Sequence, residues 1–230
     1  MSVADLPRNL ERIRERIADA GGAPERVTII AVTKGHGIDA PQAALAAGLV
    51  DLGESYAQEL VPKADALDDP RARWHFIGNL QRNKVRQIAH AVALWQSVDR
   101  LTLGAEIARF APGAPVLAQV DLAPDLQPRA GAAGRGGIAI ELAPGLVEGL
   151  RDLGLDVRGL MAVGPPGDPA AAAPGFAAVV DLADRLELPI RSLGMTADLE
   201  VAVRAGSTMV RVGTALFGER PRLSTADVEN

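Results

Sequence analysis

The chain has no cysteine and few aromatic residues, with four Phe, two Trp and one Tyr among 230 residues. Without cysteine it can form no disulfides and use no thiolate chemistry, which fits a reducing compartment. Its apolar runs all fall short of the roughly 18 residues that a membrane span needs. The N-terminus lacks the basic region and apolar stretch of a secretory signal. We therefore expect a soluble, cytoplasmic protein with no membrane association.

An excess of positive charge is also missing. The chain has 24 Lys and Arg against 29 Asp and Glu, a net charge of −5, which argues against a nucleic-acid-binding surface. With so few aromatics, the core must be built from Leu, Val, Ile and Ala. The length suits one large domain or two small ones. We predict no metal site.

Strand and helix patterns alternate along the chain. A helix with apolar residues Leu10, Ile13 and Ile17 at helical spacing comes first. Strands are predicted at 27–33, 49–53, 74–77, 94–97, 116–121, 156–161, 190–193 and 208–212. Strict alternation indicates a parallel sheet, and eight repeats favour an α/β fold consisting of a single (β/α)₈ TIM-type barrel with an extra N-terminal helix.

A doubly wound open sheet is the rival fold. It would usually place a Gly-x-Gly-x-x-Gly turn after the first strand, and residues 34–39 (KGHGID) do not have that form. We assign residues 1–218 to the barrel domain and 219–230 to a polar C-terminal tail. Loops 123–137 and 164–175, rich in Pro, Gly and Ala, follow strands and so belong to the catalytic face of a barrel, although simple tolerance of insertions explains their composition better.

Lys34 stands at the carboxyl end of the first, β-branched strand and begins a glycine-rich turn. Apolar surroundings disfavour a charged amine, so we expect its pKa to be lowered. Such an amine can form a Schiff base with a carbonyl compound. The alternative is a lysine that simply leaves the strand for solvent, as we expect His36 in the same turn to do.

Two further turns favour phosphate binding. Residues 211–214 (RVGT) end the eighth strand, and residues 192–198 (SLGMTAD) follow the seventh. Glycine allows close approach of backbone, N–H groups at such turns bind phosphate, and barrels often bind phosphate after these two strands. In a closed barrel Lys34 lies beside strand eight. An amine next to a phosphate site suits pyridoxal phosphate, which has an aldehyde at one end and a phosphate at the other.

Several runs resemble a known family: Ala31–Lys34, Gly53–Glu59, His75–Lys84, Gly159–Met161, Ser192–Asp198 and Met209–Gly218. They are similar, in order and over almost the whole chain, to the pyridoxal phosphate homeostasis proteins of the YggS/PROSC type, which share the barrel of bacterial alanine racemase. The resemblance implies a protein that buffers or delivers pyridoxal phosphate in vitamin B6 homeostasis, with apo-enzymes that need this cofactor as candidate recipients. We expect a monomer and assign no catalytic residue.

The resemblance also implies roles for individual residues. Lys34 would hold the cofactor covalently as a Schiff base, and Arg211 would donate to an unprotonated pyridine nitrogen, which weakens the ring as an electron sink. The remaining implied cofactor contacts are Ser192, Gly194, Gly213 and Thr214 around the phosphate, and Met195, His75, Ser97, Met161 and Asn83 elsewhere in the pocket or at its mouth. For His75, a role as a hydrogen-bonded core residue is equally favoured.

Two positions depart from the family pattern. Ser55 stands where the family has asparagine, and Arg135 begins an Arg-Gly-Gly run where the family has Lys-x-Gly. A contact from each is therefore in question. Two other functions stay open: an amino-acid racemase that uses the same cofactor, and a cofactor-free Schiff-base lyase or isomerase with a phosphate site. We expect no substantial racemase turnover, because the second catalytic tyrosine of alanine racemase belongs to a C-terminal domain and this chain ends soon after its last barrel strand.

Overall fold

Eight parallel strands close into a barrel in chain order, in a computed structural model that describes residues 5–122 and 136–219. The barrel closes where the first strand pairs with the last, with Ile30 opposite Arg211. The strands are Thr28–Val32 (β1), Asp51–Glu54 (β2), Arg73–Phe76 (β3), Val92–Val98 (β4), Pro115–Asp121 (β5), Asp156–Val163 (β6), Ile190–Leu193 (β7) and Met209–Val212 (β8). The predicted fold class is confirmed.

Helices surround the barrel and precede it. They are Leu6–Asp19 (α1), Asp39–Ala46 (α2), Ala57–Ala66 (α3), Val85–Ile88 (α4), Leu101–Phe110 (α5), Ala143–Asp152 (α6), Ala173–Arg185 (α7), Leu199–Ala205 (α8) and Thr214–Phe217 (α9). The predicted extra helix is α1, which buries Leu10, Ile13 and Ile17 and packs against α8 and α9. Within the two described ranges, no helix is both long and apolar enough to cross a membrane.

The sheet separates two apolar regions. The larger lies between the strands and the helices, and the smaller fills the barrel with Ile30, Val32, Leu94, Leu117, Met161 and Met209. Successive side chains of a strand point to opposite faces. On β4, therefore, Leu94 and Gln96 face the interior, whereas Trp95 packs against the helices. This parity decides which predicted residues can reach a site inside the barrel.

Three predicted features lie wholly or largely outside the described residues. They are the loop 123–137, of which only residues 136–137 are described, the tail 219–230 beyond residue 219, and the departure at Arg135. The loop 164–175 is described: residues 164–168 lead into a 3₁₀ turn at Pro169–Ala172, and α7 follows. Between β3 and β4 there is little helix: a 3₁₀ turn at Arg82–Lys84 is followed by a single α-turn, α4.

Candidate functional site

A cavity of about 410 Å³ opens at the carboxyl ends of the strands, where barrels carry their active sites. Its wall is formed by Val32, Lys34, His36, Ile77, Val163, Met195, Thr196, Ala197, Arg211, Gly213 and Thr214. Five of the predicted site residues thus meet in one cavity: Lys34, Met195, Arg211, Gly213 and Thr214. An amine, a guanidinium and hydroxyl groups converge there from β1, β7 and β8.

The turn that carries Lys34 is held on both sides by Glu54, Glu59 and Lys63, which we call the mouth triad. On one side, Lys63 Nζ donates to the carbonyl of Thr33 at 2.9 Å. On the other, the amide of Gly35 donates to Glu59 Oε2 at 2.7 Å. The backbone before and after Lys34 is therefore fixed by side chains of α3.

The mouth triad consists of two buried charges, Lys63 and Glu54, and one half-buried charge, Glu59. Lys63 Nζ lies 2.5 Å from Glu54 Oε1 and 3.1 Å from Glu59 Oε2, and the Glu54 side chain is fully shielded from solvent. Burial raises the pKa of Glu54, and the hydrogen bond from Lys63 opposes that effect. Thr33 Oγ1 also donates to Glu54 at 3.0 Å. Lys63 is therefore part of the support for the site.

Arg211 presents a fixed cation to the cavity. It is 4% exposed, and its Nη1 donates to the carbonyl and hydroxyl oxygens of Ser192 at 2.6 and 2.7 Å. Nη2 donates to the carbonyl of Ala162 at 2.7 Å. Burial lowers the pKa of Arg211 to about 10, while Asp198 acts to raise it. The guanidinium therefore stays protonated at neutral pH, and these bonds use three of its five N–H groups.

Two glycines near the cavity serve different purposes. Gly194 has a φ of 89°, and a Cβ there would lie 2.5 Å from Cβ of Ala202. Its carbonyl accepts the amide hydrogen of Arg211 at 3.0 Å. Gly213 has a φ of −116°, and a Cβ there would approach the Val32 carbonyl to only 3.2 Å. The backbone thus requires glycine at 194, whereas a methyl group at 213 would chiefly occupy space in the cavity wall.

Sequence reasoning missed the role of His36. Our expectation that it points to solvent is wrong, because His36 is half-buried and lines the cavity. Its ring packs against Phe217 of α9, with the ring centroids 5.4 Å apart. The available signal was its place two residues after Lys34, in a turn that the adjacency of β1 and β8 brings against α9.

The other predicted contacts do not form the cavity wall. Ser192 is fully buried behind Arg211, and Gly194 supports the turn after β7. Met161 belongs to the apolar interior of the barrel. His75 is buried, with Nε2 2.9 Å from Asp51 Oδ1 and Nδ1 2.8 Å from Gln96 Nε2, the hydrogen-bonded core position that we weighed for it.

Ser97 and Asn83 are likewise not among the residues that line the cavity. On β4 the pairing with β5 shifts register between Trp95 and Val98, and within this segment the Ser97 hydroxyl donates to the Gly78 carbonyl at 2.5 Å. Asn83 is exposed in the 3₁₀ turn after β3. A direct role in cofactor binding stays a prediction for both residues.

The departure at Ser55 sits beside the mouth triad. The amide of Ser55 donates to Glu54 Oε2 at 3.1 Å. Its backbone also packs closely against Gly78, where an added Cβ would lie 2.0 Å from the Ser55 carbonyl oxygen. The backbone of Ser55 is therefore tied to the site whatever its side chain is.

Comparison with known proteins agrees with this geometry. Residues 1–221 match the family model for the alanine racemase N-terminal domain. The chain is 41% identical over 217 residues to the pyridoxal phosphate homeostasis protein of Pseudomonas aeruginosa, covering 91% of each chain. It is 40% identical over 215 residues to the protein of the same name from Deinococcus radiodurans, covering 92% of this chain and 99% of that one.

Solved structures give the same picture. PipY of Synechococcus elongatus with PLP bound superposes with a TM-score of 0.72 and 32% identity, covering 90% of this chain and 100% of that one. A protein of unknown function from Bifidobacterium adolescentis has a TM-score of 0.82 and 28% identity, covering 94% of this chain and 95% of that one.

Proposed function

The chain belongs to the family of the alanine racemase N-terminal domain and, within it, to the pyridoxal phosphate homeostasis proteins, and on this premise we propose that it binds pyridoxal phosphate and buffers or delivers it inside the cell. The observation that carries the proposal is that Lys34 and Arg211 line a single cavity with Gly213 and Thr214. The related PipY, whose structure has been solved with PLP bound, supports it.

The donor set of the cavity fits this cofactor. Pyridoxal phosphate has an aldehyde, a phosphate and a pyridine nitrogen. The cavity offers an amine for the aldehyde, hydroxyls and backbone N–H groups for the phosphate, and a permanent cation for the ring nitrogen. A cavity of about 410 Å³ has the size usual for a small-molecule site. We assign Lys34 as the covalent attachment point, and Thr196, Gly213 and Thr214 to the phosphate end.

Arg211 determines what chemistry the bound cofactor could support. An arginine donates a hydrogen bond but does not give up its proton, so it would leave the pyridine nitrogen unprotonated. The cofactor normally stabilises carbanions through a protonated ring, and that capacity would be weak here. Storage and transfer of the cofactor therefore suit this site better than amino-acid chemistry.

The three lysines of the chain provide an internal test of the attachment point. Lys34 lies in the cavity, Lys63 in the mouth triad and Lys84 in the turn after β3. We expect purified, loaded protein to be yellow. Borohydride should trap the cofactor in stoichiometric amount on Lys34, as shown by peptide mapping, and Lys34→Ala should abolish trapping while Lys84→Ala retains it. Trapping mainly on Lys84 would overturn the assignment.

The delivery role needs its own measurement. We propose that recipients are apo-enzymes dependent on pyridoxal phosphate, and that the protein acts as a monomer in the cytoplasm. When loaded protein and such an apo-enzyme are mixed directly, enzyme activity should return faster than the cofactor dissociates from the loaded protein in the absence of the apo-enzyme. Equal rates would show release into solution, which is buffering without directed delivery. Sedimentation of the loaded protein measures its oligomeric state.

A further inference from the structure

A line of buried polar side chains crosses the barrel from its floor to Arg211. It draws one residue from each of five strands: Asp51, His75, Gln96, Ser192 and Arg211, which we call the interior network. Each member is at most 7% exposed. At the floor, Arg73 donates to both oxygens of Asp51, at 2.8 and 2.6 Å, and its side chain is 59% exposed. The network therefore joins solvent at one end of the barrel to the cavity at the other.

The direction of every bond in the interior network follows from the chemistry of Arg211. A guanidinium only donates, so Ser192 Oγ accepts from Nη1 at 2.7 Å and keeps its own hydrogen for another partner. That partner is Gln96 Oε1, at 2.7 Å. The Gln96 amide nitrogen then faces His75 Nδ1 at 2.8 Å, so Nδ1 must accept.

The same logic sets the state of His75. With Nδ1 as acceptor, the neutral ring carries its hydrogen on Nε2 and donates to Asp51 Oδ1 at 2.9 Å. An ionised Asp51 is the matching acceptor, and it is held in place by Arg73. The second amide hydrogen of Gln96 reaches Met209 Sδ at 3.3 Å. One assignment of hydrogens thus accounts for every bond of the interior network.

Gln96 is the central residue of this assignment, because it links Ser192 to His75. By accepting the Ser192 hydroxyl hydrogen, it keeps that hydrogen away from the guanidinium and leaves the Ser192 lone pairs for Arg211. We propose that Gln96 is a positioning residue that acts through Ser192 to fix the Arg211 guanidinium at the cavity wall, with His75 and Asp51 holding the Gln96 amide in the required orientation. This inference rests on the proposed function, in which Arg211 faces the ring nitrogen of pyridoxal phosphate.

The test compares pyridoxal phosphate with an analogue in which CH replaces the ring nitrogen. If Gln96 orients Arg211, Gln96→Leu should raise the Kd for pyridoxal phosphate roughly fivefold and leave the Kd for the analogue within about twofold of its wild-type value. A role confined to barrel stability would weaken both ligands alike. Gln119→Leu, at a buried glutamine on the neighbouring strand β5, is the matched control and should not discriminate between the ligands.

A double variant tests the path through Ser192. Because Gln96 acts through Ser192, the effects of Gln96→Leu and Ser192→Ala on the Kd for pyridoxal phosphate should fall well short of additive. If Gln96→Leu fails to fold, Gln96→Met, which is unbranched and equally long, takes its place in both measurements. Additive effects, or equal losses for the two ligands, would overturn the positioning role.

The two proposals fail in different ways. Wild-type protein that binds neither ligand at Lys34 would contradict the proposed function and the inference together. Wild-type protein that binds both ligands at Lys34, with variants that do not discriminate between them, would overturn the role of Gln96 alone.

Discussion

Strand β2 carries a carboxylate at each end, and the fold treats the two in opposite ways. Asp51 faces the barrel interior, where burial by itself would raise its pKa, but hydrogen bonds from His75 and Arg73 bring it below the ordinary value of 3.8. Glu54, three residues on, faces α3 on the outside of the barrel. There burial raises its pKa above the ordinary value of 4.5 despite the bond from Lys63.

The difference shows that the two halves of the site have different kinds of support. Lys34 is held by the mouth triad, in which Lys63 is ion-paired with two glutamates and the Lys63 and Glu54 side chains are only 8% and 0% exposed. Arg211 is held by the interior network, whose middle members, His75, Gln96 and Ser192, carry no charge. Removing one member of a buried ion pair leaves a charge without compensation, whereas a neutral network loses only hydrogen bonds. The mouth side should therefore be the more fragile.

The largest effect should come from Lys63→Met, which removes the cation of the mouth triad. Because Glu54 would then be buried without a cation beside it, we expect the free energy of unfolding to fall by about 3–5 kcal/mol, measured by urea denaturation. Lys84→Met, at a half-buried position without those carboxylates, should change it by less than about 0.5 kcal/mol.

A double variant sharpens that result. Combining Lys63→Met with Glu54→Gln removes the stranded charge, so much of the lost stability should return. If Lys63→Met alone proves no worse than Lys84→Met, the triad is not a support of the Lys34 turn.

The next effect separates the two glycines of the Arg211 side. Gly194→Ala places a side chain at positive φ and against Ala202, so we expect a loss of at least about 2 kcal/mol of stability. Gly213→Ala should cost less stability but weaken binding of pyridoxal phosphate by roughly tenfold, since the methyl group stands at the cavity wall. Melting temperature and cofactor titration of both variants measure the contrast. Reversed effects would mean that phosphate sits elsewhere.

A smaller effect concerns pH and the two acids of β2. The lowered pKa of Asp51 stabilises the fold above its ordinary value of 3.8, and this stability is lost as the pH falls through the folded value. The raised pKa of Glu54 has the opposite sign: its contribution is present below the ordinary value of 4.5 and is lost as the pH rises through the folded value.

Variants at Asp51 and Glu54 separate the two contributions to the pH dependence of stability. Unfolding free energies measured from about pH 3 to about pH 7 should show a shallower acid-side loss for Asp51→Asn than for wild type. Glu54→Gln should instead lose less stability than wild type as the pH rises. Difference curves of the same sign for the two variants would contradict the comparison.

The smallest effect should be amino-acid turnover. The mouth triad and the interior network position Lys34 and Arg211, and neither brings a second acid–base group into the cavity. Tyr56, the one tyrosine of the chain, is 45% exposed at the start of α3 and does not line the cavity. Hydrogen–deuterium exchange at Cα of L-alanine should run far below about 1 s⁻¹, the low end of ordinary enzyme rates.

His36 provides a specific test of this prediction. Among the described residues that line the cavity, it is the one besides Lys34 whose side-chain type can take up and release a proton near neutral pH. We expect His36→Gln to leave the slow exchange unchanged and Lys34→Ala to abolish it. Exchange at enzyme-like rates that His36→Gln destroys would establish a racemase.

Much of the fold and part of the site followed from local pattern. Short apolar runs that alternate with helical patterns located all eight strands to within a few residues, and the ends of β1, β7 and β8 predicted the cavity residues Lys34, Arg211 and Gly213. Position along a strand does not reveal which face a residue takes until the sheet has closed. Ser97 was predicted as a cofactor contact and Gln96 was not, although Gln96 is the residue whose side chain bonds His75 and Ser192 inside the barrel.

The amino-acid sequence by itself determined the alternation of strands and helices, and with it the barrel and the placing of an amine and a glycine-containing turn on adjacent strands. These follow from the spacing of apolar residues and from the rule that the carboxyl ends of parallel strands meet. Tertiary structure alone decided that Lys63 is buried beside Thr33, 30 residues away, and that Gln96 bonds Ser192, 96 residues away. Such contacts depend on the register and closure of the sheet, and no short stretch of sequence determines either of these.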